Sequence, residues 1–149
     1  GSAYFPRGTY LIDSTIYLDS NQYLIGEENC SSIIKMMTGA NIDMIKSVGF
    51  DSLKGTDDHN NAQTNIGLYN LTIDGNYKSD PSNIGDTGAI NNAVGNGVSI
   101  YAGGIKLKNV TIYNCADNGC TRHKDSSGCD TAKNLFESVV HVMPSFPRF

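Results

Sequence analysis

The sequence predicts an all-β chain wound as a solenoid, and three observations carry that prediction. The first is a repeated phrase. Residues 66–76 read IGLYNLTIDGN, and thirty-nine residues further on 105–115 read IKLKNVTIYNC. The second is a shared break of phase inside the phrase. Ile66 and Leu68 alternate as in a strand, but the next apolar pair is Leu71 and Ile73; the echo skips in the same place, from Leu107 to Val110. A continuous inward face then requires the backbone to bend at Asn70 and Asn109, and Asn tolerates the left-handed conformation that a sharp bend needs. The third is a series of short β-type runs, with turn residues and no helical period between them.

In chain order the runs are Thr9–Ile12, Thr15–Leu18, Tyr23–Ile25 and Ser32–Met36, then 41–50 and 96–104 on either side of the first phrase. Strands this short with no intervening helices exclude a doubly wound α/β fold and leave a sandwich, a barrel or a solenoid. Unequal turns and a corner at a fixed place in the phrase favour the solenoid, in which stacked coils bury a face that no single coil can bury. The thirty-nine-residue offset fits one coil with a long loop, or two short coils of about 20 residues.

Composition agrees. Of 149 residues only 17% are charged, apolar content is 39%, and Gly (16) and Asn are abundant, a profile of β-rich chains with tight turns. A net charge of −4 with no basic run gives no nucleic-acid footprint. No apolar run approaches the ~20 residues of a membrane span. No secretory leader is visible in this chain, which opens on Gly-Ser. Cys115, Cys120, His123 and Cys129 offer ligand types that zinc accepts, but their spacing is looser than that of structural zinc sites, and no metal ligand is assigned.

The segments YFPRGTYLI (4–12), NQYLIGEENCSSIIKM (21–36), NLTIDGN (70–76) and GGIKLKNVTIYNCADNG (103–119) resemble the pectate-lyase-like superfamily. More narrowly, they resemble the right-handed parallel β-helices of bacteriophage tailspikes and capsule depolymerases. The resemblance covers about residues 4–119. It implies a partial right-handed parallel β-helix over 1–120 and a polysaccharide ligand. For a tailspike it implies an extracellular or virion-tail location and a homotrimer; for a lyase, Ca²⁺. Its motifs are corners and core positions, so they speak for fold rather than reaction. The superfamily holds lyases, hydrolases and non-enzymatic binders. Three readings follow: a piece of a tailspike-like polysaccharide-degrading protein, a secreted pectate lyase- or polygalacturonase-like enzyme, and a non-catalytic adhesin. The acidic segment and capping helix that precede the first coil in the family have no counterpart here, and few later coils are present to carry its carboxylates. The resemblance implies a polysaccharide lyase or glycoside hydrolase for the full-length relative and leaves open whether this piece holds the complete active site.

After Cys120 the coil phrase stops. Ala132, Leu135, Phe136, Val139, Val140 and Met143 fall on one face at helical spacing, with Asp130 as a cap and Pro144 as a stop. Residues 121–149 are thus either a tail whose helix over 131–143 caps the solenoid or sequence foreign to the fold.

Polysaccharide cleavage by hydrolysis needs paired carboxylates. Asp74 and Asp86 are the foremost catalytic candidates, with Asp43, Glu27, Glu28 and Asp117 behind them; a turn role, bonding its own backbone, competes at Asp74. Tyr77, Tyr101 and Asn76 are the substrate-binding candidates, Tyr for stacking and Asn for hydroxyls, with Tyr69 and Tyr113 as further stacking faces. The polar runs 54–65, with Asp57, Asp58 and His59, and 76–97 read as loops. Sequons at Asn70 and Asn109 coincide with the corners and are explained by them.

Overall fold

The computed structural model describes residues 1–28, 31–54, 56, 58, 60–77, 92 and 94–115, with 132–133 as backbone. Three coils of a parallel β-solenoid are stacked in it. The first coil runs through β1 (Ser2–Phe5), β2 (Gly8–Ile12) and β3 (Ile16–Leu18). The second holds β4 (Tyr23–Gly26), β5 (Ser32–Met36), β6 (Ile45–Ser47) and a one-turn helix α1 (Phe50–Leu53). The third begins with β7 (Gln63–Asp74) and β8 (Val98–Ser99), and β9 (Ala102–Tyr113) opens a further turn. β1, β4, β7, β5 and β2 join in one sheet with β9 on β7, while β3, β6 and β8 form a second. All these pairings are parallel.

The two copies of the repeated phrase lie directly on one another. Ile66 pairs with Ile105, Leu68 with Leu107, Leu71 with Val110 and Ile73 with Ile112. Of the two spacings the offset allowed, one coil with a long loop is the one adopted; the excursion runs from Gly75 to Gly97, between β7 and β8. The expected bends are there. Asn70 and Asn109 have φ of 55° and 54° and drop out of the β7–β9 register. The Asn109 amide donates to the Asn70 side-chain oxygen at 3.0 Å. A second corner works the same way, with Asn65 at φ 59° donating to the Asn21 side-chain oxygen at 2.8 Å. The Asn70 and Asn109 corner thus splits each long strand in two. One half of β7 pairs with β4 and the other with β5, so both halves turn their apolar residues toward one interior.

That interior is filled by Leu24, Ile34, Met36, Ile45, Ile66, Leu68, Leu71, Ile73, Val98, Val110 and Ile112, all buried. Each such side chain taken out of water contributes about 1.5–3 kcal/mol. Among the described residues no helix is long and apolar enough to cross a membrane. Ala132–Lys133 form a two-residue strand, β10, antiparallel to β9. The rest of the expected helix 131–143 lies outside the described residues.

Candidate functional site

The outward rows of the sheet differ on the two sides of the Asn70 corner. On the near side, Tyr4, Ile25, Tyr69 and Lys108 stand in one row, coil above coil. Beside this row the second coil carries an insertion. Six residues, 26–31, separate Ile25 from Ser32, where only Asn70 separates their partners Tyr69 and Leu71. The chain can leave the sheet here because position 26 is Gly; a Cβ there would lie 2.2 Å from the Asn70 carbonyl oxygen. Buried Ser32 closes the insertion, accepting from the Glu27 amide at 2.9 Å and donating to the Phe5 carbonyl at 2.6 Å.

Glu27 and Glu28 are thereby carried out over the sheet face. Glu28, Tyr69, Asn70, Lys108, Asn109 and Ile25 line a cleft of about 480 Å³. A second cleft, of about 470 Å³, shares Glu28 and Asn70 and adds Tyr4, Arg7, Gly26 and Glu27. Their sizes fall within the range of small-ligand sites. Glu27 is oriented by two neighbours: the Tyr4 hydroxyl donates to it at 3.2 Å and the Arg7 guanidinium lies 3.8 Å away. Reduced hydration, and then the Glu27 carboxylate, hold the Tyr4 phenol above its ordinary pKa, so it remains a donor.

On the far side of the corner the row is Leu11, Lys35, Asp74 and Tyr113. Asp74 is only 6% exposed. Its carboxylate accepts from the Asn76 amide at 2.8 Å and lies 3.7 Å from the Lys35 ammonium. Tyr113 also bonds to it; burial, and then the Asp74 charge, push that phenol up. Asp74 therefore fills the turn role that competed with catalysis. Asn76, at φ 52°, donates from its side-chain Nδ2 to the Met36 carbonyl at 3.0 Å and to the Thr38 hydroxyl at 3.3 Å. Tyr77 is half-buried, with its amide on the Asn114 carbonyl at 2.8 Å.

Tyr101, expected as a stacking face for sugar, is fully buried and presents no face to solvent. It packs under α1 against Phe50 and Leu53, and its hydroxyl donates to the Thr56 carbonyl at 2.9 Å. Asp43 is also committed. It lies 2.6 Å from Lys46, and the Asn96 amide and side chain donate to it at 2.9 and 2.8 Å. Asp58 is bonded by Asn61 at 2.7 Å. Asp86, Asp117, Asp57, His59, Cys30, Cys120, His123 and Cys129 lie outside the described residues. Among the described residues no group of three His, Cys, Asp or Glu could hold a metal ion. Cys115 is buried, and its thiol donates to the Tyr113 carbonyl at 3.7 Å.

Among the expected residues, then, the cleft gathers Glu27, Glu28 and Tyr69 and leaves out Asp74, Tyr101 and Asp43. Arg7 and Lys108 were not foreseen. The insertion that positions the two glutamates was countable in the sequence once Ile25 and Ser32 are aligned with Tyr69 and Leu71.

The parallel solenoid and the family match together place the chain in a class, the pectate-lyase-like proteins. Within it, the chain belongs to the family described as rhamnogalacturonase A/epimerase, pectate lyase-like, whose model matches residues 1–138. That membership supports, in general terms, a protein that acts on polysaccharides. No curated protein and no solved structure matches the chain.

Proposed function

We propose that the chain is part of a tailspike-like protein that binds and degrades a bacterial surface polysaccharide, with the double cleft at the Asn70 corner as its site. The observation that supports this reading is the composition of the cleft: two carboxylates, a guanidinium, an ammonium, two amides and two tyrosines on one exposed sheet face. Carboxamides and carboxylates suit sugar hydroxyls, and tyrosines suit the apolar faces of sugar rings. Hydrolysis would use Glu27 and Glu28 as its carboxylate pair, one protonating the leaving oxygen and the other acting as base or nucleophile. Coils beyond β9 and a second subunit of a trimer would extend the groove along the solenoid.

The family description favours a second reading, an enzyme of the pectic type acting on polyuronides. A single assay separates the two. The chain is incubated with capsular polysaccharides and, in parallel, with rhamnogalacturonan and polygalacturonate, and new reducing ends are counted. Release from capsule alone supports the tailspike reading, and release from the pectic polymers alone replaces it. Ultraviolet-absorbing unsaturated products that vanish with a calcium chelator would mark a lyase. Binding to a polymer without release from any of them would make this piece an adhesin.

A further inference from the structure

We propose that Tyr69, which lines the cleft, and Tyr23, just outside it, are laid over Gly67 as a carbohydrate-stacking platform at the cleft's edge, with Gly67 as the residue that positions it; the proposal rests on the polysaccharide reading above. Tyr23 and Gly67 are register partners on adjacent strands, and Tyr69 follows two residues along the same outward face of β7. Strand side chains ordinarily stand away from the sheet. Here they lean in. A Cβ at position 67 would lie 2.6 Å from Tyr23 Cδ1, 2.6 Å from Tyr69 Cε2 and 3.1 Å from the Tyr69 hydroxyl. Both rings therefore cover the bare Cα of Gly67. Their centroids are 6.3 Å apart with 38° between the planes.

The backbone at Gly67 needs no glycine for its φ, which lies outside the positive range. What the position needs is the missing methyl. A ring that stands on its edge offers a sugar little area, whereas a ring laid on the backbone keeps one face for the ligand, and Tyr69 does line the cleft. The neighbours suit a glycan as well. Lys106 pairs beside Gly67 and Lys108 beside Tyr69, both exposed, while Glu28 closes the opposite side. A pyranose lying on the two rings would have its ring substituents within reach of ammonium groups on one side and a carboxylate on the other.

Covering a strand glycine with an aromatic ring also stabilises a sheet by itself, so the test reads binding separately from folding. The full chain and its Tyr69→Ala, Tyr69→Phe and Gly67→Ala variants are run by affinity electrophoresis through gels holding the capsular polysaccharides of the release assay, polygalacturonate or dextran, with a thermal melt of each variant. The expected result is retardation of the wild-type chain by at least one polymer. Tyr69→Ala weakens that binding about tenfold, the cost of removing a well-packed aromatic anchor. Tyr69→Phe keeps it. Gly67→Ala, where it melts as the wild type does, weakens it comparably because the rings are pushed off the backbone. If Gly67→Ala does not fold, the Tyr69 pair decides alone. Wild-type retardation that survives Tyr69→Ala unchanged overturns the platform and leaves the polysaccharide reading standing. A wild-type chain that none of these polymers retards overturns that reading and the platform with it.

Discussion

The two outward rows flanking the Asn70 corner are built from similar residue types and have opposite characters. Tyr4, Ile25, Tyr69 and Lys108 face a cleft, with Glu27 and Glu28 held out over it. Lys35, Asp74 and Tyr113 face one another: an ammonium, a buried carboxylate and a phenol that satisfy each other. The difference arises from six residues. The insertion 26–31 lifts two carboxylates away from backbone partners on one side, whereas on the other the chain turns at Gly75 and Asn76 and the Asn76 backbone amide donates to Asp74. A buried polar group with all its partners stabilises the coil, and an exposed one at the rim of a cleft is available to a ligand.

The largest effect that would break this contrast is on turnover. Glu27→Gln and Glu28→Gln are each expected to lower the rate of reducing-end release by roughly 10²–10⁴-fold, the usual worth of a general acid or base. Neither should move the denaturation midpoint appreciably, because both groups lie at the cleft rim. If either leaves turnover intact in a chain that cleaves, the catalytic carboxylate lies elsewhere.

The corner between the rows was legible in the sequence for a physical reason. A phase skip at Asn, made twice, has one economical explanation, and Asn70 and Asn109 adopt the left-handed conformation it requires. The strands from Gly8 to Met36 were legible for the same kind of reason, since alternation and turn residues are local. The site was less so. Tyr101 looks like any strand tyrosine, and only its packing under α1, from a segment some fifty residues earlier, buries it. Phe50–Leu53 is too short to announce itself by period. Glu27 and Glu28 gain their position from an insertion that shows only when Ile25 and Ser32 are aligned with Tyr69 and Leu71 on the next coil, and no local window of sequence contains that alignment.

Replacing the corner should move both rows together. Asn70→Val places a β-branched residue at φ 55° and removes the acceptor of the Asn109 amide. The expected loss is roughly 2–4 kcal/mol, combining backbone strain with a lost hydrogen bond. Asn70→Gly keeps the conformation and should cost about 1 kcal/mol. Chemical denaturation of the two variants checks the order; equal losses would mean that the conformation matters less than the asparagine ladder.

On the far side, Asp74→Ala is expected to destabilise by about 1–3 kcal/mol, since the Asn76 amide and Lys35 lose their acceptor. Polysaccharide binding per folded molecule should stay as it was. A variant that keeps its stability and loses turnover would reverse the roles assigned to the two rows.

The smallest effect concerns a second satisfied cluster, and pH reads it. Lys46 lies 2.6 Å from Asp43 and 2.8 Å from Asp51. Burial tends to raise the Asp43 carboxyl, but the Lys46 hydrogen bond, the two Asn96 donors and the Lys46 charge together lower it. Asp51 is lowered first by its hydrogen bond to Lys46. Burial tends to lower Lys46, and the two carboxylates overcome it and raise it. Depressed carboxylates contribute stability that is present above the ordinary aspartate range, near pH ~4, and is lost as pH falls through their folded values. A raised lysine contributes stability that is present below its ordinary value, near ~10.4, and is lost as pH rises through its folded one. The difference in denaturation midpoint between wild type and Asp43→Asn should therefore be flat from about pH 5 to pH 9, worth about 1 kcal/mol because Asp43 is only partly buried and Lys46 keeps Asp51, and should shrink toward zero in acid. A difference that opens rather than closes as the pH falls would mean that Asp43 is held in its neutral form, as a reacting acid would be, and would move the candidate chemistry to this side of the solenoid.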